Sequence, residues 1–240
     1  MSNEHATQDA EKVYSGGAPT QRAVTPGGHN IDTTQPAFPV FHRKFANPAP
    51  LGLFGFAATT WTLSFYNAGV RGVSVPNAVI GLAVAYGGLA QFVAGVWEFA
   101  SGNTFGATAF CSYGAFWWSY AALFIPFFGV QEAFMAENAF DSQFTSAVGI
   151  YLTSWGIFTF IMLLASFRAS IGLASLFLFL DITFWLLVGA EFSGNSMVEV
   201  AAGAFGIITA AIAFYVGAAG LLTPETSLFT LPVGDLSRKD

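Results

Sequence analysis

Few polar side chains stand inside apolar sequence here, and those are the ones that could do chemistry. Asp181 lies in the middle of an apolar run from about Ala169 to Ala190, and Glu98 lies near the end of another from Pro76 to Phe99. A carboxyl group at such a place either hydrogen-bonds a neighbouring helix or exchanges protons. Asp181 is therefore a candidate proton-coupling group, with a structural hydrogen bond as the plainer alternative. Tyr86 and Gln91 share the run with Glu98. Asn47-Pro48 and Asn103-Thr104 open two runs, each offering helix N-terminal N–H groups that attract an anion or are simply capped. Pro48 and Pro50 weaken the anion reading by removing donors from the first turn.

Aromatic and hydroxyl residues recur at helical spacing. Phe56, Thr59 and Thr60 form one such set, Phe110, Tyr113 and Trp117 a second, and Phe177, Leu180, Asp181 and Phe184 a third. Spacing alone reads these as packing stripes. No catalytic constellation stands among them. His5, His29 and His42 all fall in the polar N-terminal tail, and Cys111 is the sole cysteine, which excludes an intrachain disulfide. An enzyme is not expected, nor is a metal or cofactor.

The elements that must position these residues follow from composition. Of 240 residues 54% are hydrophobic and 9% charged, against about 25% charged in a soluble domain. Phe contributes 27 residues and Gly 26, and both suit packed helices in lipid. The net charge of −6 and the eight scattered Lys and Arg residues make no basic patch, so nucleic acid is not an expected partner. Residues 1–45 are polar and rich in Pro and Gly and read as a disordered tail. Six apolar runs follow, at about Leu51–Val70, Pro76–Phe99, Thr104–Val130, Gln143–Phe167, Ala169–Ala190 and Val198–Leu222. Each is close to the ~20 residues that cross a ~30 Å hydrocarbon layer. The expected fold is an all-α membrane protein with six transmembrane helices in one bundle and a central substrate pathway, spanning 46–222, with a C-terminal tail at 223–240. Arg43, Lys44, Arg168, Arg238 and Lys239 fall on one side of such a bundle, which places both termini in the cytoplasm. In the second run Gly81, Gly88, Gly95 and Gly102 recur every seven residues and predict one close-packed stripe, within the subunit or between subunits.

Three segments carry a resemblance. Asn47-Pro48-Ala49-Pro50-Leu51-Gly52-Leu53 is similar to the signature of the acetate uptake transporter family, which includes bacterial succinate–acetate permeases and fungal acetate permeases. Tyr86-Gly87-Gly88-Leu89-Ala90-Gln91 with Glu98 agrees with it. So does Gly102-Asn103-Thr104-Phe105-Gly106 running on to Ser112-Tyr113-Gly114. The similarity covers roughly residues 45–235, and the long tail resembles the fungal branch. It implies a homo-hexamer in which each subunit moves acetate and related small carboxylates. A plasma-membrane location is expected, and protons are the expected co-substrate because the neutral acid crosses an apolar constriction more cheaply than the anion. The resemblance also implies that Phe56, Tyr113 and Leu180 form the narrowest point of the pathway. Asn47, Thr59, Thr60, Tyr86, Gln91, Glu98, Asn103 and Thr104 are then candidates for substrate binding. An anion channel without proton coupling, ammonium or ammonia export, and a non-transporting sensor or scaffold are the rival expectations.

Overall fold

The computed structural model describes residues 45–73, 75–136 and 143–237. The three tail histidines, Arg43, Lys44, Glu137, Asp141, Arg238 and Lys239 lie outside the described residues. Six long helices carry the described fold: α1 Ala49–Asn67, α2 Pro76–Ala100, α3 Thr104–Phe124, α4 Thr145–Ser166, α5 Ile171–Ser193 and α6 Ser196–Leu221. Two short helical segments, Pro126–Phe128 and Val130–Ala136, bridge toward α4.

The helix starts follow from local chemistry. Asn103 Oδ1 accepts from the Gly106 N–H at 3.0 Å at the head of α3. Ser170 Oγ accepts from the Leu173 N–H at 3.1 Å at the head of α5, and Asn195 Oδ1 from the Met197 N–H at 2.9 Å at the head of α6. Each such cap contributes about 1 kcal/mol. At α1 the cap position belongs to Pro48, with Pro50 in the first turn. Asn47 stands one residue earlier and accepts from the Ala49 N–H at 3.1 Å. The third run does not continue as one helix to Val130. Pro126 forces Ile125 into an extended conformation (φ −81°, ψ 118°), so α3 stops at Phe124. The fifth run extends past Glu191 to Ser193 and is ended by Gly194 at φ +63°.

Four of the described helices, α2, α4, α5 and α6, are long and apolar enough to cross a membrane. The other two are of similar length, 19 residues in α1 and 21 in α3. Both are rich in Gly, Ser, Thr, Tyr and Trp, which hydropathy scales score as polar, and hold fewer Ile, Leu and Val than α4 to offset them. Thr59, Thr60, Tyr113 and Trp117 among them are buried, whereas Trp61 is exposed. The outer surface is apolar: Ile150 is 67% exposed, Ile161 56% and Phe160 48%, the signature of a surface made for lipid or another subunit.

The helices form a ring. α1 packs most extensively on α6, α6 on α5 and α5 on α4; on the other side α1 meets α2, and α2 meets α3. Between α3 and α4 the ring closes through side chains. Phe116 meets Trp155 at 5.1 Å and Tyr113 meets Phe158 at 5.4 Å between ring centroids.

The glycine stripe of α2 is only partly what its spacing predicts. Gly88 and Gly95 press against Trp118 and Cys111 of α3, so that seam lies within the chain. A Cβ on Gly81 or on Gly102 would meet nothing within 4 Å, and Gly102 lies beyond the helix end at φ +78°. A π-helical stretch, Ala85–Ala90, widens the turn between Gly81 and the later glycines, and the end of the helix at Ala100 leaves Gly102 off the stripe.

Candidate functional site

Two cavities enter the ring from opposite ends. The one at the α1 N-terminus, called lower here, gives about 80 Å³ to the centres of water-sized molecules. Its wall includes Ala49, Leu53 and Phe56 of α1, Gln91 and Glu98 of α2, and Leu180 of α5. α3 adds Phe110 and Tyr113, and Asn103 stands at its mouth. The upper cavity, at the other end of the same helices, is about 710 Å³. Leu63, Phe116, Tyr120, Leu152, Leu187, Glu191 and Glu199 help to line it. Among the described residues no Lys or Arg lines either cavity, whereas Glu191 and Glu199 make the upper one acidic.

Phe56, Tyr113 and Leu180 come from three helices and meet where the lower cavity ends. All are buried, at 5%, 3% and 4% exposure. The Phe56 and Tyr113 rings lie 5.7 Å apart. Tyr113 is fixed from the far side, its hydroxyl 2.9 Å from Thr159 Oγ1 of α4. Sequence reasoning passed over Thr159, because a threonine in an apolar run gives no sign of what it will face.

Five buried side-chain atoms lack a hydrogen-bond partner among the described residues: Thr60 Oγ1, Gln91 Oε1, Glu98 Oε1, Trp117 Nε1 and Asp181 Oδ1. Buried polar atoms are normally paired, so each needs a reason. Gln91 and Glu98, 1% and 3% exposed, both line the lower cavity. The other Glu98 oxygen accepts from Asn103 Nδ2 at 2.8 Å, which pins the carboxyl group in place. The lower cavity thus offers two unpartnered acceptor oxygens, beside the amide groups of Gln91 and Asn103, in a mainly aromatic and aliphatic wall.

The remaining candidates fall elsewhere. Thr59, fully buried, donates to the Gly55 carbonyl at 2.8 Å and sits on the α1–α2 seam against Gly87. Tyr86 and Thr104 line neither cavity, and exposed Asn47 caps its own helix instead of facing the interior. Asp181 also lines neither cavity. It is half-buried, one position round the helix from Leu180, with the Trp185 indole in hydrogen-bonding range of its carboxyl group. Asp181→Asn is therefore expected to leave the pH profile of transport unchanged. Flux measured across a pH series in the variant checks this, and a shifted profile would restore a proton role for Asp181.

A ring of helices, apolar outside, with a cavity at each end and a narrow aromatic plug between, defines a membrane permeation protein. The sequence places it further. The chain matches the GPR1/FUN34/yaaH family over residues 30–238 and belongs to that family. Over 197 residues it is 46% identical to Ammonia transport outward protein 2 of Saccharomyces cerevisiae, covering 80% of this chain and 69% of that one. It is 47% identical over 198 residues to Acetate permease A of Emericella nidulans, covering 80% and 66% respectively. Thus it spans about two thirds of these fungal relatives. It is 38% identical over 193 residues to the succinate-acetate/proton symporter SatP of Escherichia coli, covering 80% of this chain and 97% of SatP. The fold is similar to the solved structure of the bacterial acetate channel SatP, with a TM-score of 0.70 and 36% identity over 80% of this chain and all of that one.

Proposed function

We propose that this protein carries acetate and related small monocarboxylates across a membrane, that all six helices cross the bilayer, and that the acid moves in its protonated form. The observation that carries this reading is the lower cavity, closed by Phe56, Tyr113 and Leu180 and furnished with two unpartnered acceptor oxygens. Its volume suits a two-carbon acid better than a large one. An acceptor oxygen attracts a donor, and a carboxylate anion has none, whereas acetic acid brings an O–H to Gln91 or Glu98. Burying an unpaired charge costs far more than burying a hydroxyl, so the neutral acid also crosses the apolar plug more cheaply. The acidic upper cavity acts in the same direction by repelling anions. Arg168, in the α4–α5 link, fits a cytoplasmic end for the lower cavity and hence for both termini. A plasma-membrane hexamer, each subunit with its own passage, completes the proposal.

Purified protein in liposomes tests it. Acetate uptake at fixed total concentration is expected to rise as external pH falls, and an inward proton gradient is expected to drive acetate uphill while acidifying the lumen. Flux that never runs uphill would leave a channel without coupling. No flux at all would end the transport reading and favour a sensor or scaffold. One observation also favours ammonium as a cargo: its N–H groups suit the same two acceptors, and the surrounding rings suit a small cation. Uptake of labelled methylammonium would separate that reading from the first.

A further inference from the structure

Phe56, Tyr113 and Leu180 end the lower cavity, but the upper cavity does not begin directly above them. On α1 the lower wall reaches Phe56 and the upper wall starts at Leu63. On α3 the corresponding residues are Tyr113 and Phe116, with Tyr120 a turn further, and on α5 they are Leu180 and Leu187. Thr60, Trp117 and Phe184 fill these gaps. Each stands four residues after the lower residue of its helix; Thr60 and Phe184 stand three before the upper one, while Trp117 directly follows Phe116 and stands three before Tyr120, so each shares its helix's inward face, one turn higher. All three are buried, at 6%, 2% and 3% exposure. The plug is therefore two layers deep. Phe184 packs edge-on against Phe116 at 5.4 Å, and Phe116 against Trp117 at 5.1 Å.

The second layer differs chemically from the first. In the first, the Tyr113 hydroxyl is already engaged by Thr159. In the second, Thr60 Oγ1 and Trp117 Nε1 have no partner among the described residues. Its α1 neighbours Thr59 and Thr62 each donate to the carbonyl four residues back. Thr60 makes no such bond, so its hydroxyl is left to the face between Phe56 and Leu63. An indole N–H can only donate.

We propose that Thr60 and Trp117 form a dry carboxyl-binding subsite inside the plug: the Trp117 N–H and the Thr60 hydroxyl donate to the oxygens of a small carboxylic acid in transit. The proposal rests on the monocarboxylate reading above and gives the passage a direction of hydrogen bonding. Acceptors wait below the aromatic ring and donors above it. The acid gives up its O–H···O bond to Gln91 or Glu98 as its oxygens reach Trp117 and Thr60, and its methyl group passes the ring in contact with carbon alone. The two groups set the height of the central barrier, because without them the acid's oxygens would cross the plug unpaired.

Initial acetate flux into proteoliposomes tests this, with wild type, Thr60→Val, Thr60→Ser and Trp117→Phe compared at equal reconstituted amounts. Thr60→Val keeps the shape and removes the hydroxyl; Trp117→Phe keeps a ring and removes the N–H. Each is expected to lower maximal flux by about tenfold with little change in half-saturation, since the lower cavity is intact, and Thr60→Ser is expected to stay near wild type. Wild-type flux in both Thr60→Val and Trp117→Phe, or an equal loss in Thr60→Ser and Thr60→Val, would overturn the subsite while leaving the passage standing. No flux in the wild type would remove the transport reading itself. If Trp117→Phe fails to assemble, the valine and serine pair at Thr60 decides alone.

Discussion

Phe56→Ala is expected to let lactate and succinate through the passage proposed here for two-carbon acids. Phe56 sits at the junction of lower cavity and plug, 5% exposed, its ring 5.7 Å from that of Tyr113. Truncation removes part of the lower cavity's wall, at the proposed narrowest point, without touching a hydrogen bond. Pocket discrimination of this apolar kind is worth about 1–3 kcal/mol per methylene, or roughly 10–200-fold. The ratio of lactate to acetate flux should therefore rise at least about tenfold in Phe56→Ala. Leu180→Ala, which opens the opposite wall, should do the same to a lesser degree because the side chain is smaller. Both variants should lose stability, since removing a buried Phe costs about 3–5 kcal/mol in a core that cannot collapse. Labelled lactate, succinate and acetate fluxes in the same vesicles measure the ratio. An unchanged ratio in both variants would mean that selection happens elsewhere, with the second layer at Thr60 and Trp117 as the next place to look.

The six apolar runs and the cap at Asn103 were legible in the chain, because composition and capping act locally. The caps at Ser170 and Asn195 are just as local but the runs did not mark them, and Pro126 ends α3 through the residue before it, short of where the apolar run stops. Which way each helix faces was much harder to read. In water, the polar face of a helix marks its outside. In lipid, both faces are apolar, so the contrast vanishes. Thr59 and Thr60 are adjacent and chemically identical, yet one seals the α1–α2 seam and the other stands in the plug. Leu180 and Asp181 are adjacent too, and the apolar one lines the cavity while the carboxyl group does not. The polar residue was the natural choice for chemistry in sequence, and its apolar neighbour is the one found in the cavity wall. The π-helical turn at Ala85–Ala90 left no composition signal, and it separates Gly81 from the stripe that Gly88 and Gly95 form, while Gly102 falls off it because the helix ends at Ala100. The partnership of Tyr113 with Thr159 joins residues 46 apart in the chain, and no local pattern encodes it.

The position of α1 is fixed by backbone contact with α6, and this gives the largest expected effect on the whole molecule. A Cβ placed on Gly203 would lie 2.7 Å from the Ser64 carbonyl oxygen and 2.9 Å from the Asn67 carbonyl carbon, both backbone atoms of α1. One turn on, Gly206 meets the Ser64 side chain in the same way. A backbone cannot swing aside as a side chain can, so any larger residue at Gly203 must push α1 away from α6. Gly203→Val is expected to give no stably folded protein, and Gly203→Ala a protein with a clearly lowered Tm. α1 carries Phe56 and Thr60, so a displaced α1 also opens both layers of the plug. Gly203→Ala that still assembles should then leak: its acetate flux should become less saturable, and lactate should enter. Gly81→Ala is the matched control, since nothing lies within 4 Å of a Cβ there, and it should behave as wild type. Detergent-solubilised thermal melting and vesicle flux measure both. A Gly203→Val protein that melted like the wild type would mean that α1 is not held by this seam, and the placement of Phe56 opposite Tyr113 would lose its physical cause.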